Sequence, residues 1–556
     1  MLKVCDTEML NTNGVMLIAT LPVVNVVKRN LFRDSIQLMR LSEDVKKLAG
    51  VDDAVVSMGT DTNRRLIKDL GLLGNESRGA GDGDLIIAVR VRGGFDVSDV
   101  MASVEQLVMT PPASSGGPRT RIYHSVQSAL QATRGANLAI VSVPGKQAFE
   151  PTMELLRSGV SVHLFSDHVP LDQELKLKRY ASSRGLLVMG PGAGTSIVNG
   201  VGLGFANSVR RGDVGIVASA GTGIQEVSIM LDRIGLGVSA ALGVGGTDVS
   251  EQVGGLMMKD CLRLLEKDRG TRIIMIVAKT PKASVIREVM DNVEKSTSKP
   301  VVACFLGLDP PATANARVTY AKTLHSAVHA AARASGGDME KRFDATISTE
   351  FEQLSKAAGS IRAGLGTTRK FARGLYSGGT LAHETLLIFR ELIGEAYSNT
   401  PLSGEFGLAD PNQSRGNSIV DLGDEFFTAG RAHPMIDPTL RKLRIAQEAR
   451  DSSVALLLLD VVLGYGSSAD PGGALVGAIE DAIGASGKRG PGPVVVAHVC
   501  GTETDPQSLT AQSEKLSNAG ALLFSSNALL SAEAALVIGG DRASARLRQK
   551  WRDLFG

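Results

Sequence analysis

The 556-residue chain is 43% hydrophobic and 21% charged, with 63 glycines, a profile of soluble α/β proteins rich in tight turns and not of disordered chains. A net charge of +2 and a single Trp leave no electrostatic or base-stacking case for nucleic acid or for an anionic membrane. Four scattered cysteines (Cys5, Cys261, Cys304, Cys500) without a C-x-x-C pair, and eight histidines without ligand spacing, predict reduced thiols, a cytoplasmic location and no metal site.

In chain order, Gly14 to Val27 is apolar but broken by Pro22 and Asn25, which predicts an N-terminal extension or first strand and not a signal segment. No apolar run nears the roughly 20 residues that span a bilayer. Helices over Asp34–Leu48 and Asn63–Leu70 and strands over Ala54–Met58 and Leu85–Val91 predict a small α/β domain in residues 1–110, and Pro111–Pro118 reads as a linker. Residues 120–232 alternate apolar strands (Leu138–Val143, Val160–Phe165, Leu186–Met189, Val214–Ala218) with helices (Glu150–Ser158, Leu171–Ser183), the pattern of a parallel, doubly wound, Rossmann-like sheet. A second α/β unit over 233–332 has strands Ala240–Val244, Ile273–Ala278 and Val301–Leu306, and a charged segment over 333–368 reads as a helical linker. The pattern then restarts in 369–556, with strands Phe371–Tyr376, Ser418–Leu422, Val454–Val462 and Val494–Val499 and a helix over Ala511–Ala519.

One signature occurs twice. Val214 to Glu226 and Ala372 to Glu384 each run from an apolar strand through Ser and Gly into a Gly-Thr-x-x-x-Glu hexamer that opens a helix. Such a turn offers free amides and the positive end of a helix, about half a charge, to an anion. Lys299–Gly307 also matches Gly492–Gly501, so the two halves read as a diverged duplication. Ser219, Gly221, Thr222 and Gly223, with Gly378, Gly379 and Thr380, are the candidate phosphate or carrier ligands, and Glu226 is a candidate acid, base or polar anchor. Gly190, Gly192, Thr195 and Ser196 predict a pocket lip at the switch point of the first sheet. The stretch Asp421 to Arg441 gathers Asp421, Asp424, Arg431 and His433, where Arg431 suits a carboxylate or phosphate and His433 suits proton transfer near neutral pH.

In order and content, Met189 to Ser196, Val214 to Glu226, Gly243 to Gly246 and Lys299 to Gly307 resemble the succinyl-CoA synthetase α subunit. Asp421 to Asp424, Leu463 to Gly466 and Gly501 resemble the CoA-ligase domain of its β subunit. From about Val27 onward the chain is similar to the FdrA family, on Arg33 to Met39, Met58 to Thr60, Phe165 to Asp167, Ala218 to Glu226 and the long run Asp421 to Arg441. The resemblance implies a Rossmann-like CoA-binding-type domain, flavodoxin-like domains and a C-terminal CoA-ligase-like domain. It implies acyl or carbamoyl transfer to phosphate (the oxamate carbamoyltransferase type, in purine catabolism), with phosphate or carbamoyl phosphate bound, a small acid substrate, partner subunits and a homo-oligomer as a further option. The alternatives are a CoA-dependent, NDP-forming acyl-CoA synthetase and a non-catalytic scaffold subunit. The family's phosphohistidine loop should follow Gly307, but no His precedes His325, so the histidine partner of Glu226 is expected to be missing.

Overall fold

The computed structural model describes residues 21–31, 35–109, 123–309, 316–428, 431–484 and 492–556. The Pro111–Pro118 linker, the first half of the Gly14–Val27 stretch and part of the Arg33 marker lie outside them. By their contacts the described residues form two compact units, one drawn from 1–121 and 425–433, the other from 122–424 and 434–556.

In the first unit, β1 (Val23–Lys28), α1 (Ser35–Lys46), β2 (Val51–Met58), α2 (Asp61–Asp69), β3 (Leu85–Val91) and α3 (Val97–Met109) build an antiparallel sheet of order β1-β3-β2. Alternate residues of β3 serve two cores: Leu85, Ile87, Val89 and Val91 pack with α3, and Ile86 and Ala88 pack with Ile67 of α2. A period-two strand with both phases apolar is buried on both faces. The small α/β domain expected here is present.

The second unit opens with α4 (Val126–Ala132), β4 (Leu138–Val141), α5 (Phe149–Arg157), β5 (Ser161–Leu164), α6 (Leu171–Ser183) and β6 (Val188–Met189), a three-stranded parallel sheet. The hairpin β7 (Thr195–Val198) and β8 (Val201–Gly204) follows. Next come β9 (Arg211–Ala218), α7 (Gly221–Ile234), β10 (Val238–Gly243), α8 (Leu256–Lys267), β11 (Ile273–Lys279), α9 (Ala283–Ser296), β12 (Val301–Leu306), β13 (Val318–Ala321) and α10 (Leu324–Ser335).

The expected boundary at 232/233 is corrected by the sheet order β13-β12-β11-β9-β10-β7-β8. β9 is the central strand of this flavodoxin-like sheet, so the unit starts near Arg211 and α7 is its first crossover helix. Sequence alternation could not show it, because a parallel strand reads alike whichever sheet it joins.

The segment expected as a linker is a helix, α11 (Asp338–Gly364), which buries Leu354 and Ala358 and packs against the last helix of the chain. The second half holds β14 (Phe371–Tyr376), α12 (Gly379–Leu392), β15 (Ser418–Asp421), α13 (Glu425–Thr428, grouped with the first unit), α14 (Thr439–Ala449), β16 (Val454–Val462), α15 (Val476–Gly484), β17 (Val494–Cys500), α16 (Leu509–Asn518), β18 (Leu522–Phe524) and α17 (Asn527–Phe555). Its order β15-β14-β16-β17-β18 repeats β10-β9-β11-β12-β13 strand for strand, all parallel. The duplication is therefore one of topology as well as of sequence. The first eleven residues of α7, Gly221 to Leu231, and the first eleven of α12, Gly379 to Phe389, are buried but for Gly221 and Gly379 (half-buried). These two helices lie at the seam between the repeats.

Candidate active site at the seam of the repeats

Both Gly-Thr turns sit at the C-terminal ends of interior strands, β9 and β14, and they meet. The Thr380 amide donates to Thr222 Oγ1 at 3.2 Å, and Thr222 packs on Gly378. The turns nevertheless differ in what fills them. In the second, the Ser377 amide and hydroxyl donate to Asp460 Oδ1 at 2.8 and 3.0 Å, and the Gly378 amide donates to Asp460 Oδ2 at 2.6 Å. Arg441 donates to the same Oδ1 at 2.7 Å, so a buried ion pair lies inside the turn. Gly379 is covered by a second pair, Lys279 Nζ to Asp421 Oδ2 at 3.2 Å; a Cβ there would collide with both groups. Burial pushes the Asp421 carboxyl up, and Lys279 opposes the rise.

The first turn has none of this. Strand register matches Ala218 to Tyr376, and so matches Gly243 to Asp421 and Val277 to Asp460. The Ser219 amide turns back to the Val277 carbonyl at 3.0 Å. The Ser219 hydroxyl is buried without a partner, α7 carries no capping side chain, and no described residue accepts from the Ala220, Gly221 or Thr222 amides. An ideal Cβ on Gly221 would meet nothing closer than 3.7 Å, the Thr195 hydroxyl. The residues expected to form a lip are divided between two places. Thr195 borders Gly221, and Ser196 Oγ accepts from the Gly243 amide at 3.0 Å. Gly190 and Gly192 stand further back, against Leu164 and Asp167.

Behind the turns, the two hexamer glutamates cross the seam. Glu226 Oε1 accepts from the Asn527 amide at 3.1 Å, the first amide of α17 in the second repeat. Glu384 Oε1 accepts from the Leu324 amide at 2.7 Å, the first amide of α10 in the first repeat. Asn527 Nδ2 also donates to Glu384 Oε2 at 2.8 Å. Glu226 does face a histidine, but one on a strand of the other repeat and not in a loop after Gly307: His498 Nε2 lies 2.8 Å from Glu226 Oε2. His498 Nδ1 faces the Phe524 carbonyl at 3.1 Å, and a carbonyl only accepts. Nδ1 therefore carries a hydrogen. Burial works against the Glu226 carboxylate, but His498 beside it holds its carboxyl below the usual value. Burial, then the charge of Glu226, pushes Glu384 up to about 8. With Cys500, Glu226 and His498 place O, N and S donors within 4.8 Å of one another, all buried, and the Arg233 guanidinium acts on the same carboxylate.

His383, on α12, has neither ring nitrogen bonded, and burial with Lys279 nearby pushes it down to about 3, a neutral packed imidazole. Asp424 is half-buried and raises Asp421 slightly by its charge. Arg431 and His433 belong to the segment 425–433 that groups with the first unit. Sequence reasoning passed over Asp460, Lys279 and His498. The signal for Asp460 was present: it is the one charge in the strand Val454–Val462, whose nine residues are all buried.

Family profiles match at three places: CoA-ligase over residues 375–537, a CoA binding domain over 209–307, and the heavy metal-associated domain of AllF over 21–121. The chain is 40% identical over 502 residues to the uncharacterized protein YahF of Escherichia coli (strain K12), across 90% of this chain and 96% of that protein. It belongs to the YahF family. It is also succinyl-CoA synthetase-like. The succinate–CoA ligase [ADP-forming] α subunit of Aquifex aeolicus (strain VF5) is 29% identical over 199 residues, 34% of this chain and 62% of that subunit, so the match spans under two thirds of its length. The ADP-forming sulfoacetate-CoA ligase subunit SauD of Bilophila wadsworthia (strain 3_1_6) is 28% identical over 200 residues, 34% of this chain and 66% of that subunit. Among solved structures, a dinucleotide-forming acetyl-coenzyme A synthetase 1 of Ca. Korarchaeum cryptofilum, in complex with phosphate and ADP, aligns over 80% of this chain and 89% of its own with 15% identity and a TM-score of 0.33.

The CoA-binding profile covers the flavodoxin-like repeat and overlaps only the end of residues 120–232, where that domain was expected. Residues 21–121, which match the heavy metal-associated profile, contain no cysteine and no histidine. No described helix is long and apolar enough to cross a membrane.

Proposed function

We propose that this chain transfers an acyl group between phosphate and CoA, the ligase half of an NDP-forming acyl-CoA synthetase reaction. The two ligase subunits among the relatives support this alternative better than carbamoyl transfer. The observation that carries it is the open turn of Ser219 to Thr222, where the Ala220, Gly221 and Thr222 amides and the buried Ser219 hydroxyl have no partner among the described residues. In the proposed step the CoA sulfur attacks the carbonyl of an acyl phosphate. The C–S bond forms, the C–O bond to phosphate breaks, and phosphate leaves with that electron pair while the thiol proton passes to solvent or base. The α7 amides stabilise the charge that gathers on the departing phosphate. A partner subunit supplying the nucleotide step, and CoA held by the first repeat, belong to this proposal.

Incubation with acetyl or succinyl phosphate plus CoA, read as thioester formed and phosphate released, tests it. CoA-dependent release is expected, reduced at least tenfold in Ser219→Ala. Transfer from carbamoyl phosphate to oxamate without CoA would overturn it in favour of the FdrA-type carbamoyltransferase. In that reading Arg431 orients the acid and His433 moves the proton, and His433→Ala should lose at least tenfold in turnover. Silence in both assays would leave a ligand-binding scaffold.

A further inference from the structure

Two turns of one design normally mean two ligands, yet the second turn already holds one. Its Ser hydroxyl and two amides grip the Asp460 carboxylate, while a second carboxylate, Asp421, lies over Gly379. Both acids have apolar counterparts in the first repeat, Val277 and Gly243. Ser219 stands where Ser377 stands. Ser377 shows that a hydroxyl at this place binds a carboxylate, and the hydroxyl of Ser219, a residue 6% exposed, has no partner. α7 is a 14-residue helix with an uncapped N-terminus, and the orphan Ser219 hydroxyl stands two residues before its start.

We infer that Asp460 is a built-in anion that closes the second turn, so that the chain binds a single phosphate-type anion, at Ser219 to Thr222. This rests on the phosphate-binding reading above and adds a stoichiometry and a specificity-determining residue to it. Asp460 acts by occupancy, since it already takes the Ser377 hydroxyl and the Ser377 and Gly378 amides that a second anion would need.

Equilibrium dialysis of the full chain against radiolabelled orthophosphate is the test. One phosphate per chain is expected, with affinity at least tenfold lower in Ser219→Ala and unchanged in Ser377→Ala. Val277→Asp should place a carboxylate in the first turn and abolish binding, with circular dichroism checking its fold. The two serine variants decide the matter if that chain does not fold. Two phosphates per wild-type chain would overturn the inference and leave the phosphate reading intact. One phosphate, lost in Ser377→Ala and kept in Ser219→Ala, would likewise overturn it. No phosphate bound would remove the phosphate reading itself, and this inference with it.

Discussion

Glu226 and Glu384 hold the same position in the two repeats and are both buried, but their carboxyls shift in opposite directions. Burial disfavours the charged form of each. What differs is the facing residue. Counting back from Gly501 and Gly307, His498 on β17 corresponds to Cys304 on β12. Glu226 meets an imidazole and is held low, whereas Glu384 meets a thiol that burial, then Glu384 itself, pushes well above its usual range. A cysteine supplies no positive charge, so Glu384 keeps its proton up to about pH 8. The fold was copied whole while the buried charges were not. A strand tolerates any apolar swap of similar size, but a charge inside it demands a counter-charge elsewhere.

The largest break in this comparison should come from Asp460→Ala. It leaves Arg441 as an unpaired buried cation and strips the acceptor from the Ser377 and Gly378 amides. Breaking one side of a buried pair costs about 3–5 kcal/mol, read as the shift in urea midpoint at constant slope. A loss under about 1 kcal/mol would mean that Asp460 is no counter-charge at all.

A smaller, pH-dependent effect follows from Glu384. Its folded value, about 8, lies above its usual 4.5, so the folded chain binds a proton that the unfolded chain has released. Stability therefore falls as pH rises from about 5 to 8, by roughly 1.4 kcal/mol per pH unit for each such group. Glu533, pushed up to about 8 by burial alone and with neither oxygen bonded, adds the same sign. Glu226, held low, contributes in the opposite sense, and its stabilisation is lost only as pH falls below the ordinary carboxylate range. Thermal unfolding across pH 5 to 8 should show a negative slope that Glu384→Gln reduces. An unchanged slope in that variant would place the proton elsewhere.

Much of this was legible beforehand. Strands Leu85–Val91, Phe371–Tyr376, Val454–Val462 and Val301–Leu306 were bounded correctly, because continuous apolar runs end where turn residues begin. Both Gly-Thr turns were found and do open helices at strand ends. What escaped was partnership. Glu226 and His498 are 272 residues apart, and Asp460 reads as a blemish in an apolar strand until the turn 82 residues before it is folded against it. Periodicity encodes which face is buried and says nothing of which two faces meet. The 232/233 boundary failed for the same reason.

The finest test of the two turns compares their serines. Ser377 Oγ donates to a carboxylate, a bond worth about 1.5–3 kcal/mol, so Ser377→Ala should lower stability by that order. Ser219 Oγ is buried and unbonded in the chain alone, and removing a polar group that has no partner is neutral or favourable. Ser219→Ala should thus hold or raise the melting temperature without ligand, and lose the extra stability that phosphate gives the wild type. At a hundred times the dissociation constant that extra stability is about 2.7 kcal/mol. Equal destabilisation by both substitutions would mean that the first turn is as internally satisfied as the second. Opposite responses of stability and ligand gain at Ser219 would identify a group whose partner is not part of the chain.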